Sequence, residues 1–231
     1  MKILAMADLH GILPKLDLRL DSVDIILLAG DIAPDYSWTP RINIKYQTEW
    51  FKTEFLEWAT RLNTPILGCY GNHDYGTFKN NSNIKLYSNE IEGNYFLFSW
   101  AVEYEHWNYM VKDRECDYKM NHLKGSIESR LNTTLGKCNE IPEVWVCHGP
   151  PYRVCEFREN DMQRYVGSKA LRNAIEKYQP KLVFVGHIHE GEREGQIGDS
   201  KIYNCALGGR VFDRIYCGLS GQVYAPVSVC L

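Results

Sequence analysis

The stretch LVFVGHIH at residues 182–189 joins four apolar residues to a glycine and two histidines. Short apolar runs of this kind are typical of strands that are buried on both faces in a parallel sheet. Residues directly after such a strand lie at the carboxyl edge of the sheet, where open α/β sheets bind their ligands. The stretch therefore predicts a buried strand that delivers His187 and His189 to a binding site.

The same pattern occurs four more times along the chain. Mostly apolar runs at residues 3–7, 24–29, 65–70 and 144–147 each end in polar residues. Those polar residues are, in chain order, Asp8 and His10; Asp31; Asn72, His73 and Asp74; and His148. Five of the seven histidines lie at these strand ends, which disfavours five unrelated structural histidines. We expect the five strand ends to converge on one site.

The remaining pattern supplies the rest of an α/β fold. Helical spacing predicts crossover helices at residues 13–20, 44–62 and 168–178, the last with Ser168 as its N-cap. Two later runs, at residues 201–207 and 222–229, predict further strands. Residues 75–140 have the least regular pattern, and we expect long loops there, including the aromatic-rich segment 99–120. Glycines before the ligand-type residues, at Gly30, Gly71 and Gly186, are expected to let the chain turn tightly.

The composition is that of an average globular domain. The 231 residues are 45% hydrophobic and 24% charged, which excludes disorder and coiled coil, and we expect one domain over residues 1–231. A net charge of -3 and the absence of basic tracts disfavour long nucleic acid as a partner. The first apolar run is cut short at Asp8, too early for a signal or membrane segment, so we expect a cytoplasmic protein with no membrane contact. Eight cysteines without a CxxC pair are interpreted as mostly buried, reduced residues.

The residue types at the strand ends favour metal chemistry. Imidazoles, carboxylates and one carboxamide together suit borderline divalent ions such as Mn, Fe and Zn. Because Asp-x-His and His-x-His pairs each bring two side chains to a short segment, one motif can serve two adjacent ions. The pattern therefore predicts a metal enzyme.

Five blocks in this order resemble the calcineurin-like metallophosphoesterase superfamily. They are Asp8-x-His10, Gly30-Asp31, Gly71-Asn72-His73-Asp74, His148-Gly149 and Gly186-His187-x-His189. The sequence around His148-Gly149-Pro150-Pro151 further resembles the small branch of metallophosphoesterase-domain-containing proteins and similar bacterial phosphodiesterases. Cys147 departs from the pattern, since Thr or Ser commonly precedes that His-Gly pair, but it is not a ligand. The resemblance implies a four-layer α/β/β/α sandwich of two mixed sheets.

The resemblance also implies a dinuclear centre. Asp8, His10 and His189 would hold one ion, Asn72, His148 and His187 the other, and Asp31 would bridge them. The ions are expected to be Mn, Fe or Zn, and the nucleophile a metal-bound hydroxide. Two carboxylates and one hydroxide against two divalent cations leave about one positive charge to attract a phosphate.

Further residues are expected to act on the substrate. The resemblance implies that His73 acts on the phosphate oxygen or the leaving group. Asp74, beside it in sequence, is the expected partner of its ring nitrogen. Arg153 is a candidate contact for the substrate phosphate, and Tyr152, Arg158, Arg193, Tyr75 and Trp107 are weaker candidates. We expect hydrolysis of a small phosphodiester, with nucleotide-type diesters included. A serine/threonine protein phosphatase or phosphomonoesterase, a nuclease and a catalytically silent scaffold remain as alternatives, and the oligomeric state is open.

Overall fold

The computed structural model describes residues 2–14, 23–37, 40–99, 127–156, 167–189, 191–206 and 227–230. The strands in this part are β1 Lys2–Met6, β2 Ile25–Ala29, β3 Ile66–Cys69, β4 Ile84–Tyr87, β5 Asn89–Glu92, β6 Tyr95–Phe98, β7 Val144–Cys147, β8 Leu182–Val185, β9 Glu194–Ile197, β10 Ser200–Asn204 and β11 Val227–Cys230. The helices are α1 Pro40–Trp50, α2 Leu56–Leu62, α3 Ile127–Leu135 and α4 Lys169–Tyr178, and a π-helical turn, Phe51–Phe55, joins α1 to α2.

The strands form two mixed sheets. In the five-stranded sheet the order is β11-β1-β2-β3-β4, with β1 to β4 parallel and β11 antiparallel to β1. In the six-stranded sheet the order is β5-β6-β7-β8-β10-β9. Its four central strands are parallel, and the edge strands β5 and β9 run antiparallel to their neighbours.

The two sheets pack face to face because alternate residues of their strands are apolar on the inner side. Ile3 and Ala5 of β1 lie in one buried cluster with Val146 of β7 and Phe184 of β8. The intervening residue of β1, Leu4, belongs to a different cluster on the outer face. One apolar layer thus holds the sheets together, and each sheet keeps a second apolar face for helices.

Helices cover both outer faces. Phe51 and Phe55, from the π-helical turn, pack on the outside of the five-stranded sheet. Leu171 and Ile175 of α4 pack on the outside of the six-stranded sheet with Trp145. The predicted α/β/β/α sandwich of two mixed sheets is confirmed.

The helix predicted over residues 44–62 begins earlier. Helical structure runs from Pro40 to Leu62, and proline suits the first position because the N–H it lacks would have no helical partner there. The helix ends at Asn63, which adopts a left-handed conformation with φ of 49°. The predicted N-cap of α4 is confirmed, since the Ser168 hydroxyl accepts the Leu171 N–H at 3.0 Å.

Residues 75–140 are more regular than the sequence indicated. The described part contains strands β4 to β6 and helix α3, so the expectation of long loops is wrong for residues 84–98 and 127–135, and residues 100–126 lie outside the described part. The three strands have four residues each and follow one another closely, with a β5–β6 hairpin turning at Gly93, so no long periodic pattern marks them. Strand β9 was not predicted either.

Some predictions fall outside the described residues. These are most of the helix at 13–20, the first half of the strand at 222–229, Leu207, and nearly all of the segment 99–120. Cys69, Cys147, Cys155 and Cys205 are buried free thiols, as the sequence interpretation expected of most cysteines. Among the described residues, the helices are too short or too polar for any of them to cross a membrane.

Candidate metal centre

The five predicted strand ends meet at one edge of the sandwich. Strands β1, β2 and β3 are neighbours in one sheet and β7 and β8 in the other. The loops that follow them are tied by backbone hydrogen bonds, from Asp8 N–H to the Gly30 carbonyl at 2.9 Å and from Gly186 N–H to the His148 carbonyl at 2.8 Å. Parallel strands therefore bring all five loops to the same place, as predicted.

Asp8, His10 and His189 form one group of ligand-type atoms. Their atoms lie within 4.8 Å of one another. One oxygen of Asp8 is 3.0 Å from His189 Nε2, and its other oxygen accepts the His187 N–H at 2.8 Å. Asp8 is buried, so its carboxylate is fixed by the β8 loop rather than by solvent.

Asp31, His148 and His187 form a second group, again with ligand-type atoms within 4.8 Å of one another. His148 Nε2 lies 3.3 Å from Asp31 Oδ2 and 2.8 Å from the side-chain oxygen of Asn72. The rings of His148 and His187 are 5.0 Å apart at their centroids. The four residues expected around the second ion are thus close together.

Asp31 belongs to the second group and also faces the first. Its Oδ2 is 3.3 Å from His148 Nε2 and 4.0 Å from His10 Nε2. Its Oδ1 accepts the His73 N–H at 2.7 Å. This position suits the bridging role expected of Asp31, which stays a prediction.

The hydrogen bonding of His148 fits a cation. Its Nδ1 is 2.8 Å from the Ala29 carbonyl, which can only accept, so Nδ1 carries a proton. Its Nε2 then lies 2.8 Å from the Asn72 side-chain amide and 3.3 Å from the Asp31 carboxylate, and a proton or a cation at Nε2 would satisfy that carboxylate. A histidine whose second nitrogen is held by a backbone carbonyl is the usual arrangement of a metal ligand. The residues present therefore fit a divalent ion bound by nitrogen and oxygen.

The electrostatics of the metal-free site point the same way. Burial lowers the pKa of His148, but the charge and hydrogen bond of Asp31 outweigh it and raise that pKa to about 9. Burial would raise the pKa of Asp31, but the charge of His148 holds it below its ordinary value. Burial and the charge on His148 lower the pKa of His187 to about 4. The buried Asp31 carboxylate therefore favours a positive charge beside it.

Four of the predicted ligands have a strained backbone. Asp8, His10, Asp31 and His187 have φ of 56°, 45°, 51° and 70°, in the left-handed region that residues with a side chain rarely adopt. Such conformations cost about 1–2 kcal/mol each and are found where a site demands them. The strain is what aims these side chains inward from the strand ends.

The three motif glycines make room for ligand side chains. Only Gly30 has a positive φ, 87°, so the tight-turn explanation is wrong for the other two. A Cβ at any of the three would lie far inside contact distance of a predicted ligand. The distances are 2.4 Å from Gly30 to His148 Nδ1, 2.1 Å from Gly71 to Asp31 Oδ1 and 2.4 Å from Gly186 to Asp8 Oδ2.

The partner of His73 is Asp35 and not Asp74. His73 Nδ1 lies 2.7 Å from Asp35 Oδ2. The buried Asp74 carboxylate instead accepts the backbone N–H groups of Ile32, Ala33 and Gly71 at 2.8–2.9 Å. The expected Asp74–His73 pair is therefore corrected: Asp74 ties the β2 loop to the β3 loop. Asp35 could have been considered from the sequence, because it is an acidic residue four positions after Asp31.

Two polar residues of α1 hold the loops around His73, and neither was predicted from the sequence. The Gln47 amide donates to the carbonyls of Pro34 and His73 and accepts the N–H groups of Tyr75 and Gly76. Asn43, one turn earlier, accepts the Tyr36 N–H at 2.9 Å. Their signal is a pair of amides spaced i, i+4 on the buried face of a helix.

The predicted substrate contact Arg153 is exposed, with its guanidinium 5.2 Å from the centre of the Tyr152 ring. Its role stays a prediction. Of the weaker candidates, Arg193 donates to the Ala206 carbonyl. Tyr75 bonds to Gln47 through its backbone. Arg158 and Trp107 lie outside the described residues.

Comparison with known proteins identifies relatives. A model of the calcineurin-like phosphoesterase family matches residues 1–191. Metallophosphoesterase domain-containing protein 1 of Homo sapiens and that of Mus musculus are each 41% identical over 66 residues, 27% of this chain. The match spans 20% of the length of these curated relatives. A solved crystal structure aligns with a TM-score of 0.53 and 14% identity over 88% of this chain and 89% of that chain, a likeness of fold.

The close approach at Gly71 gives a first prediction. Gly71→Ala would place a methyl group 2.1 Å from Asp31 Oδ1, so it should displace that carboxylate and weaken Mn binding at least tenfold, by about 1.4 kcal/mol or more. Metal content after equilibrium dialysis measures this. Gly93→Ala is the control, because its Cβ meets nothing within 4 Å and its φ of 57° costs only stability, about 1 kcal/mol. Unchanged Mn binding by Gly71→Ala would contradict the interpretation.

The protonated histidines give a second prediction, for the metal-free protein. His73 and His148 have their pKa raised to about 9, above the value of about 6.5 in an unfolded chain. The stability they contribute is fully present below about pH 6.5 and is lost as pH rises through about 9. The melting temperature should fall by several degrees from about pH 7 to about pH 9.5. The melting temperature of His148→Gln should fall less steeply over the same pH range. A wild-type melting temperature that does not change with pH would reject the argument.

Proposed function

Because the chain belongs to the calcineurin-like phosphoesterase family, we propose that it is a metal-dependent hydrolase whose substrate is a small phosphodiester. One observation carries this proposal. The group of Asp8, His10 and His189 lies beside the group of Asp31, His148 and His187, with His10 Nε2 4.0 Å from Asp31 Oδ2 and the His73 N–H on Asp31 Oδ1. This proximity supports a site in which two cations would share Asp31.

The family resemblance implies the residues around each ion, and the two groups support this assignment. Asp8, His10 and His189 would hold one ion, Asn72, His148 and His187 the other, and Asp31 both. When bound, a pair of divalent ions polarises a phosphate and lowers the pKa of coordinated water, which makes that water a nucleophile at neutral pH. Mn, Fe and Zn all suit this mixed nitrogen and oxygen donor set.

His73 is suited to protonate the leaving oxygen. Its Nδ1 is held by Asp35 at 2.7 Å, which leaves Nε2 for the substrate. Burial lowers its pKa, but the hydrogen bond to Asp35 and the charge of Asp31 raise it to about 9, so the ring carries a proton at neutral pH in the metal-free protein. The ring is about a third exposed and can reach a bound ester. Asp35 acts through His73 as a positioning residue.

The charge of the site favours a diester. Two divalent cations, the carboxylates of Asp8 and Asp31 and one hydroxide sum to about one positive charge, which matches the single charge of a diester. The alternative is a monoester, as in a phosphomonoesterase or a serine/threonine phosphatase. A silent scaffold is disfavoured by the retention of all seven ligand-type residues, Asp8, His10, Asp31, Asn72, His148, His187 and His189.

The setting of the reaction is part of the same proposal. A net charge of -3 disfavours long nucleic acid as a substrate, which favours a small phosphoester. We place the protein in the cytoplasm, on the free thiols among its described cysteines.

Activity on chromogenic esters tests the reaction class. The purified protein, supplied with Mn, Fe or Zn, should release p-nitrophenol from bis(p-nitrophenyl) phosphate faster than from p-nitrophenyl phosphate. A chelator should abolish release. Faster cleavage of the monoester would favour the alternative, and no cleavage with any of the three metals would favour the scaffold.

Two variants separate metal binding from proton transfer. His73→Ala should keep both metals and lose about 100-fold or more in kcat, the usual contribution of a general acid. Asp31→Ala should lose metal, measured by metal content after dialysis. Wild-type turnover in a metal-loaded His73→Ala protein would reject the role of His73.

Asp35 and Asp74 can be distinguished by their asparagine variants. Asp35→Asn removes the charge that raises the pKa of His73, so the alkaline limb of the kcat profile should move to lower pH. Asp74→Asn should leave the profile in place and lower the free energy of unfolding by about 1–3 kcal/mol, because an amide nitrogen would face backbone donors. Urea unfolding and pH–rate profiles of both variants measure this. The opposite pattern would restore Asp74 as the partner.

A further inference from the structure

Large exposed hydrophobic side chains are few in the described part of the chain, and they share one region of it. The four are Ile12 (38% exposed), Tyr36 (49%), Ile42 (44%) and Tyr46 (51%). Single exposed apolar residues are ordinary in soluble proteins. These four residues all lie within residues 12–46, on both sides of Asp31 and Asp35 in sequence. Their exposure is therefore considered together with the candidate metal centre.

Two of these residues form one surface. The rings of Tyr36 and Tyr46 are 5.2 Å apart at their centroids, with 38° between their planes. Ile42 and Tyr46 are four residues apart on α1 and so lie on the same face of the helix. We name Tyr36 and Tyr46 the tyrosine shelf, and Ile42 borders it on α1.

The tyrosine shelf is fixed to the candidate metal centre. Tyr36 directly follows Asp35, whose carboxylate is 2.7 Å from His73 Nδ1. The buried amide of Asn43 accepts the Tyr36 N–H at 2.9 Å, which fastens this loop to α1. Gln47 of the same helix donates to the His73 carbonyl at 2.8 Å. One helix therefore holds both the shelf and the histidine that faces the substrate.

We propose that the tyrosine shelf binds the planar aromatic ring of the substrate, a nucleobase or an aryl group, while the phosphate lies at the metal centre. The position of the phosphate rests on the proposed function. Tyrosine offers a flat apolar face with little conformational freedom to lose, and every nucleobase has a π-face to stack on it. Continuity with the site, through Asp35 and His73, favours a substrate group over an unrelated partner.

Matched ligands with and without a ring test the proposal. Binding is measured by calorimetry in the Mn-loaded His73→Ala protein, so that the ligand is not consumed. Adenosine monophosphate should bind about tenfold or more tightly than ribose 5-phosphate. A second comparison uses phenyl phosphate and methyl phosphate. Tighter binding of phenyl phosphate indicates a subsite for any aryl group, whereas equal binding of the two indicates a subsite that needs a nucleobase.

Variants of the shelf identify the residues responsible. Tyr36→Ala and Tyr46→Ala should each weaken the binding of adenosine monophosphate about tenfold and leave the affinity for ribose 5-phosphate unchanged. Tyr46→Phe keeps the ring and should bind within about twofold of the parent. Ile42→Ala is the control for general apolar contact, and it should also stay within about twofold.

Three results would overturn the proposal. They are equal affinity for the ligands with and without a ring, equal losses in Ile42→Ala and Tyr46→Ala, and tyrosine variants that change the oligomeric state in sedimentation without changing nucleotide affinity. The last would assign the shelf to a second copy of the chain. Hydrolysis of bis(p-nitrophenyl) phosphate by the wild type is scored separately, so the shelf can fail while the proposed function stands, and the reverse.

Discussion

The buried carboxylate of Asp31 is the group on which the site depends. It is 2% exposed and lies between an imidazole of the opposite sheet, His148, and the backbone N–H of His73. An isolated buried carboxylate is costly, so positive charge has to accompany it, as protonated histidines or as cations. Asp31 and His148 come from different sheets, so their charges meet only when the two sheets pack together. The packing of the sandwich and the charge balance of the site therefore depend on each other.

The core between the sheets is shaped to meet that constraint. Along β1 and just beyond it, the inward residues change from Ile3 to Ala5 and then Ala7, which all lie in the layer between the sheets. A Cβ on Gly186 would come 2.5 Å from the Ala7 side chain, so the smallest residues stand where the two sheets approach the ligands. Large side chains at this end would hold the sheets apart and separate the two groups of ligand atoms.

The local sequence pattern predicted the strands and their polar ends, but not the contacts between segments that are far apart in sequence. Each apolar run with a polar end marked a strand and a candidate ligand after it, because burial on both faces leaves little choice of residue type. Asp35 was missed because its contact with His73 forms only when the β2 loop folds against the β3 loop. Asp74 was assigned to its sequence neighbour, yet the turn sends the two side chains to different partners. Gln47 was missed for the same reason, since its four hydrogen bonds join segments far apart in sequence.

The left-handed backbone restricts which residue types can replace Asp8, His10, Asp31 and His187. β-Branched residues are the least tolerant of that conformation, whereas asparagine and aspartate tolerate it best. An exchange of aspartate for asparagine would thus preserve the course of the chain and change only the charge. Very few substitutions could therefore remove the proposed cation binding and leave the shape of the chain intact, which makes a catalytically silent relative easy to reach from this sequence.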